Sequence, residues 1–450
     1  MSAVVVMLSG LASGQGKTSV TAALALAVRA RGRRVVVFKL GPDFIDPMVL
    51  ERASGGPVFN LDDRMVGLAE SRHRVVQAAA QADLVLIEGA MGLYDGPPSS
   101  ASLARALGVP VVVLVDAGSM AQTFGAVVHG LASYGAARGE PVTVLGAVAN
   151  RVASAGHAAM LLESLPPGCP LLAAVPRVAT TLPERHLGLS SEAVAQVDEA
   201  LQALAQAMQT PPNSDCIDRL LALPAWQPPA ASGDAVWPAP PATLAGRRIA
   251  VARDAAFRFI YPANLACLEA MGASIEFFSP LNDEPVPASA HALWLPGGYP
   301  ELFAEQLAAA GQWRASVQAW VAEGRPVLAE CGGMMALADG LTLVNGQRHA
   351  MAGVLVGEVR MQTRLAALGV QTMQPGAQTE ALHPAMRGHT FHFSTMSTPL
   401  QPTGQCQRLD GSAGEPWWRF GPTGKGVASY FHAYFPSSPM HTAALLGAAP

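Results

Sequence analysis

The sequence predicts a two-domain α/β protein, each domain built on a largely parallel sheet, and three observations carry that prediction. Apolar runs of strand length alternate with helical stretches in both halves of the chain, the pattern of parallel strands covered on both faces. A proline-rich stretch separates the halves. Each half also sets a chemically distinctive residue, Lys17 in the first and Cys331 in the second, among glycines where a strand gives way to a helix.

The first of these corners is Gly10-Leu11-Ala12-Ser13-Gly14-Gln15-Gly16-Lys17-Thr18. The apolar run Ala3 to Leu8 leads in, and good helix formers from Thr18 to Arg31 lead out and stop at Gly32. Strand, glycine loop and helix make a phosphate-binding loop. Glycine lets backbone N–H groups close around phosphate oxygens, and the helix N-terminus adds partial positive charge. Ser13, Gly14 and Gly16 are therefore expected to cradle phosphates, Lys17 to reach the β/γ phosphates of a nucleotide, and Thr18 to ligate Mg2+. The loop departs from the usual spacing, with Leu11 where that pattern has glycine and Gly10 one residue earlier.

Composition narrows the remaining options. At roughly 100–200 residues per domain, a chain of 450 residues holds two or three. Half of the residues are hydrophobic and only 14% are charged, which excludes a disordered chain. A net charge of −4 gives no basic surplus for nucleic acid. No apolar run is long enough to span a bilayer, and the apolar start reads as a first strand rather than a signal peptide. Cys169, Cys216, Cys267, Cys331 and Cys406 are scattered, with no C-x-x-C pair, so neither a disulfide framework nor a zinc site is expected and a reducing cytoplasm is.

Further strand-like runs in the first half are Val35–Phe38, Leu84–Ile87, Val109–Val115 and Val142–Ala149. In such sheets ligands sit at the carboxyl ends of the strands. The polar residues there are Lys39, Asp43 and Asp46 after the second strand, Glu88, Tyr94 and Asp95 after the third, Asp116 after the fourth and Asn150-Arg151 after the fifth. Carboxylates at adjacent strand ends can hold Mg2+ beside phosphates, and Lys39 can stabilise a transferring phosphoryl group.

Four blocks, Gly41 to Pro47 (G-P-D-F-I-D-P), Asn60-Leu61-Asp62, Glu88 to Gly96 (E-G-A-M-G-L-Y-D-G) and Pro183 to Leu189 (P-E-R-H-L-G-L), resemble signatures of the cobyrinic acid a,c-diamide synthase family. That resemblance implies a dethiobiotin-synthetase-like ATP-binding amidation domain over residues 1–210. It places Lys17 and Thr18 at ATP and Mg2+, Asp43 and Glu88 at the metal, Lys39 near the γ-phosphate and Asn150 at the adenine edge. Asp46, Tyr94, Asp95, Arg185 and His186 are assigned to the substrate end.

Residues 211–246 contain many prolines with alanine and serine between them, interrupting a short apolar piece at Ile217–Leu223. Proline suits neither a long helix nor a central strand, so the stretch reads as an inter-domain linker.

The second domain, 247–450, opens with Arg248–Ala252 and continues with strand-like runs at Ser274–Phe278, Ala292–Leu295 and Pro326–Ala329. Two glycine turns follow strands: Leu295 to Glu301 (L-P-G-G-Y-P-E) and Ala329 to Gly333 (A-E-C-G-G). A cysteine at a strand-to-helix corner presents an accessible sulfur near a helix N-terminus, which makes Cys331 a candidate nucleophile. Candidate bases downstream are His383, His389, His392 and His432. The order of Cys331 and then His432, after an upstream glycine turn, is similar to class I glutamine amidotransferase domains of flavodoxin-like fold. That similarity implies Gly298 and Gly332 as oxyanion donors and His432 as the proton carrier.

Arg387 to Ser394 resembles a further block of the synthase family, departing at Thr390, where glutamate is expected; a second histidine is likewise expected at Tyr434. No carboxylate stands two residues after His432 to complete a triad, so what orients it is open. Taken together, the family resemblance implies ATP- and glutamine-dependent amidation of the a and c acetate groups of a corrin through acyl phosphates. The partners are small molecules only: a corrinoid acid, glutamine and ATP, with Mg2+ as cofactor. A cobyric acid synthase-type ligase acting on other side chains, and a non-catalytic P-loop ATPase or regulator, are the alternatives. The sequence does not fix cobalt content of the acceptor or oligomeric state, a homodimer being one option.

Overall fold

The computed structural model describes residues 3–178, 191–229, 236–374 and 384–448. The chain divides into two compact units, Met1–Val236 and Trp237–Pro450.

The first unit carries a seven-stranded sheet. Its strands are β1 (Val4–Gly10), β2 (Val35–Leu40), β3 (Phe59–Leu61), β4 (Leu84–Gly92), β5 (Val111–Asp116), β6 (Val144–Val152) and β7 (Leu171–Pro176). They lie in the order β3-β2-β4-β1-β5-β6-β7, and all neighbours are parallel. Side chains alternate across a strand. On β1, Val4, Val6 and Leu8 therefore join one buried cluster while Val5 and Met7 join the other. The first cluster is closed by α1 (Lys17–Ala30), α2 (Ile45–Ser54), α7 (Ser191–Ala207) and α8 (Cys216–Leu221). The second is closed by α3 (Leu68–Gln81), α4 (Ser100–Leu107), α5 (Thr123–Ala137) and α6 (Ala155–Ser164). Burying each such Val or Leu contributes about 1.5–3 kcal/mol, which is why the sheet needs helices on both faces.

Strand order reverses about β1, which lies between β4 and β5, and a crevice opens at the carboxyl ends of strands at such a switch point. β1 and β4 run further than their apolar cores suggest. Gly10 pairs with both Gly92 and Leu114, which draws Ser9, Gly10 and Glu88 to Gly92 into the ladder. Glu88 is thus a residue of β4 rather than of the loop beyond it. Part of the proline-rich stretch packs into this unit: Asn213, Cys216, Ile217, Leu220 and Trp226 are buried, and the Asn213 amide bonds both the N–H and the C=O of Ala174.

In the second unit, β8 (Arg248–Ala252), β9 (Ser274–Phe278), β10 (Ala292–Leu295), β11 (Val327–Glu330) and β20 (Gly426–Ser429) form a parallel core in the order β9-β8-β10-β11-β20. The sheet continues as an antiparallel wing. It comprises β15 (Ala367–Met373), β16 (Met386–His392), β18 (Gly404–Arg408), β19 (Ala413–Phe420) and β21 (His432–Ala433). A smaller sheet holds β12 (Ala338–Thr342), β13 (Arg348–Ala350), β14 (Leu355–Met361) and β17 (Ser394–Ser397). Helices α9 (Pro262–Ala270), α10 (Ala304–Ala309), α11 (Gly311–Ala322), α12 (Gly332–Leu337) and α13 (Pro439–Leu445) complete the unit. No helix among the described residues is long and apolar enough to cross a membrane.

Candidate active site

The loop from β1 to α1 holds its shape through glycine. Gly14 and Gly16 have φ of 76° and 88°, the left-handed region that side chains avoid. At Gly16 a Cβ would also meet Asn150 Nδ2 at 2.3 Å. Lys17, the first residue of α1, is buried and donates across the loop to Ala12 O at 2.8 Å. Burial, then the charge of Lys39, lowers its pKa.

Behind this loop the sheet gathers the acidic residues. Thr18 Oγ1 donates to Glu88 Oε1 at 2.8 Å. Lys39 Nζ donates to that same oxygen at 2.9 Å and to Asp46 Oδ2 at 2.6 Å. β2 and β4 are neighbours with Lys39 opposite Glu88, so strand register alone sets this contact. Burial would lower Lys39, but the charges of Glu88, Asp46 and Asp43 outweigh it and hold the ammonium protonated. Burial raises Glu88 to about 7 despite Lys39. Asp43 rises to about 6, through burial and then the charge of Asp46. Burial would raise Asp46 too, but the adjacent Lys39 holds it low.

Asp43 Oδ1 accepts from the N–H of Ile45 at 2.6 Å and of Asp46 at 3.3 Å, an Asx-type turn that starts α2. Asn60 Nδ2 ties down the same loop through Gly41 O and Asp43 O at 2.7 and 2.9 Å. Glu88 Oε2 is buried with no hydrogen-bond partner. No cluster of three His, Cys, Asp or Glu poised for a metal occurs among the described residues. The donor set is one orphaned carboxylate oxygen and a threonine hydroxyl beside a phosphate loop. That suits Mg2+, which takes few protein ligands and completes its shell with phosphate and water.

Asn150 lies within β6, and its amide faces the phosphate loop: Nδ2 donates to Gln15 O at 2.8 Å, while Oδ1 accepts from Arg151 N–H at 3.0 Å. Arg151 sits in left-handed backbone, φ 58°, and forms an ion pair with Asp116. Tyr94 OH donates to Leu131 O at 2.7 Å and accepts from Gly135 N–H at 3.3 Å. Asp95 Oδ2 accepts from Gly92 N–H at 2.9 Å, closing the turn after β4. Arg185, His186 and His383 lie outside the described residues.

In the second unit Cys331 occupies the corner between β11 and α12, with φ 44° and ψ −105°. That conformation is strained for a residue with a side chain. Small neighbours make it feasible. A Cβ on Gly333 would meet Leu295 O at 2.1 Å, and one on Gly332 would meet Gly298 N at 2.8 Å and Pro300 Cδ at 2.9 Å. The two glycine turns named from the sequence are therefore packed against each other, with Gly298 and Gly332 in contact. Burial first, then the charge of Glu301, pushes the Cys331 thiol well up.

Strand pairing brings His432 to the same edge. Glu330 lies opposite Ser429, Cys331 N–H donates to Ser429 O at 2.7 Å, and β20 leads within three residues to His432. A Cβ on Gly297 would stand 2.2 Å from His432 Cε1, so the imidazole lies directly on the Gly297-Gly298 turn. Glu330 Oε1 accepts from Ala433 N–H at 2.8 Å and Oε2 from Trp294 Nε1 at 2.9 Å, which ties the residue before Cys331 to the residue after His432. Burial raises Glu330 to about 8.

His389 lies opposite His432 in the β16–β21 ladder, and the two rings stack at 5.1 Å and 23°. The Tyr261 hydroxyl shares a 2.9 Å hydrogen bond with His389 Nδ1. Burial lowers His389 to about 3, and burial followed by the charges of His389 and His392 lowers His432 well below the usual histidine value. His392 instead bonds Ser394 O at 2.8 Å and Glu415 at 3.3 Å and stacks on Tyr430.

Gly297, Tyr261 and Glu301 received no role from the sequence. Gly297 and Glu301 stand inside the quoted L-P-G-G-Y-P-E turn, which was their signal; Tyr261 carried none.

Known proteins place these features in context. Residues 6–189 match the CobQ/CobB/MinD/ParA nucleotide binding domain, and residues 248–440 match the CobB/CobQ-like glutamine amidotransferase domain. A cobyrinate a,c-diamide synthase of Herminiimonas arsenicoxydans is 49% identical over 98% of this chain and 96% of its own. Hydrogenobyrinate a,c-diamide synthases of Stutzerimonas stutzeri and Pseudomonas aeruginosa are 48% and 45% identical, each over 98% of this chain and 97% of its own.

Proposed function

The chain belongs to the family of cobyrinate and hydrogenobyrinate a,c-diamide synthases, and on that premise we propose that its units act as one ATP- and glutamine-dependent ligase on the a and c acetate groups of a corrinoid acid. The observation that carries this reading is the Cys331 corner. A strained cysteine, a buried histidine and two touching glycine turns form the parts of a glutaminase, in the same chain as a phosphate loop.

In the second unit Cys331 Sγ attacks the side-chain amide carbon of glutamine. Its proton passes to His432 and on to the departing nitrogen, so ammonia leaves and a thioester remains for water to cleave. The N–H groups of Gly298 and Gly332 receive the oxyanion.

In the first unit Ser13, Gly14, Gly16 and Lys17 hold the triphosphate. Lys39, fixed between Glu88 and Asp46, faces the charge that develops as the γ-phosphoryl moves to the acetate carboxylate. The resulting acyl phosphate makes oxygen a leaving group for ammonia. Thr18 and Glu88, with Asp43 beside them, would hold Mg2+, which supplies charge neutralisation on the phosphates when bound. Asn150 supports the loop through Gln15 while bordering the nucleotide. Arg185 and His186 belong to the substrate end by resemblance, together with Asp46, Tyr94 and Asp95. The enzyme works in the cytoplasm on small molecules.

The test offers cobyrinic acid and hydrogenobyrinic acid separately, with ATP, Mg2+ and either glutamine or ammonium, and weighs the products by mass spectrometry. Two amides per ring are expected. Cys331→Ala should lose only the glutamine-driven reaction, and Lys17→Ala should lose both. A Cys331→Ala protein that still uses glutamine would refute the reading.

A further inference from the structure

We propose that the Glu301 carboxylate is the docking point for the α-ammonium group of glutamine, and so selects an amino acid as nitrogen donor over a plain amide. This rests on the glutaminase reading above.

Glu301 follows Pro300 in the turn that carries the oxyanion glycine Gly298. Pro300 packs against Gly332, the residue after the nucleophile, where a Cβ would stand 2.9 Å from Pro300 Cδ. Three carboxyl groups act on Cys331, namely Glu301, Glu415 and Glu330, and Glu301 acts most strongly. The other two are buried and engaged: Glu330 accepts from Ala433 N–H and Trp294 Nε1, and Glu415 meets His392. Glu301 is partly buried, burial raises its carboxyl to about 7, and it forms no ion pair among the described residues.

A carboxylate in that place works against catalysis in the free enzyme. It disfavours the thiolate that must form at Cys331. Glutamine resolves the conflict. With its amide carbon at Cys331 Sγ, its α-nitrogen is a few bonds away and positively charged. Pairing that ammonium with Glu301 cancels the repulsion on the thiolate and fixes the amide over the sulfur. Donor binding and nucleophile activation thereby become one event.

The experiment measures ammonia release by the full-length protein, with ATP, Mg2+ and cobyrinic acid, from L-glutamine and from glutaramic acid, which is glutamine without the α-amino group. A charge-assisted hydrogen bond predicts about a ten- to hundredfold preference for glutamine in kcat/KM in the unaltered enzyme. Glu301→Gln should lower kcat/KM for glutamine towards that for glutaramic acid, mostly through KM, and leave the value for glutaramic acid within severalfold. Glu301→Asp should restore part of the preference. Equal use of both donors by the unaltered enzyme would overturn the proposal without any variant, and so would a Glu301→Gln protein that loses both activities in parallel or keeps the full preference. No ammonia from glutamine at all would instead bring down the glutaminase reading itself.

Discussion

Gly297→Ala tests the placement of the base without altering a charge or a hydrogen-bonding group. The added methyl would stand 2.2 Å from His432 Cε1 and 2.9 Å from Nδ1. Carbon atoms rest at about 3.5–4.0 Å, so the ring must retreat by more than an ångström. It has little room: His389 stacks on it at 5.1 Å, Phe259 lies at 6.1 Å, and the His432 carbonyl is against Gly388, where a Cβ would meet it at 2.1 Å. Gly297 itself is not in the left-handed region, so alanine brings steric conflict without backbone strain. Displacing a catalytic group by about 1 Å costs on the order of a hundredfold in rate. Glutaminase kcat should therefore fall at least about a hundredfold, while amidation driven by added ammonium persists. Overpacking costs about 1–3 kcal/mol, small enough for the unit to stay folded. Glutaminase activity within severalfold of the parent, measured as glutamate release, would mean that His432 is not the proton carrier.

Two more outcomes follow from buried charge. Lys39→Met removes the ammonium between Glu88 and Asp46, and losing one partner of a buried ion pair costs about 3–5 kcal/mol. Urea unfolding of that variant should show the loss, with amidation abolished even on ammonium, and an unchanged midpoint would refute the pairing. His389 makes the second unit sensitive to acid. Its folded pKa is held at about 3 by burial, below the unfolded value of about 6.5. Between these values the unfolded chain binds the extra proton, so the stability contributed by neutral His389 is complete above about pH 6.5 and is lost as pH falls. The urea midpoint should drop from pH 7 to pH 5, and His389→Asn should flatten that slope; an identical slope in the variant would remove His389 as the cause.

Much of this fold was legible because parallel strands are buried on both faces and so read as unbroken apolar runs. Arg248–Ala252 and Ala292–Leu295 appear with the same limits in sequence and structure. Strand ends were less legible, since Ser9, Gly10 and Glu88 to Gly92 join the ladder through backbone pairing that side-chain hydrophobicity does not report. The antiparallel wing and the small sheet were harder still, because their half-exposed strands mix polar and apolar residues. In the site, motif spacing delivered Lys17, Thr18, Cys331 and the glycine turns, whose contacts are local or lie across neighbouring strands. It could not deliver Tyr261, which reaches His389 across more than a hundred residues of chain, nor the link from Glu330 to Ala433 N–H.

The resting state of the nucleophile is the least intuitive feature, and it is testable. A cysteine at a helix N-terminus beside a histidine suggests a preformed thiolate–imidazolium pair. Here both groups are buried and neutral. Burial and Glu301 raise the Cys331 thiol, and burial with the neighbouring histidines lowers His432. Separated charge must therefore await a ligand that stabilises it, through the oxyanion donors on one side and an ammonium near Glu301 on the other. Iodoacetamide reports the state directly, because only thiolate reacts and an unperturbed cysteine of pKa about 8.5 is roughly a tenth ionised at pH 7.5. Peptide mass spectrometry should find Cys331 alkylated at least about tenfold more slowly than a free cysteine derivative under those conditions. Alkylation faster than the free thiol would mean that the pair is already ionised, and that glutamine binding has nothing left to switch on.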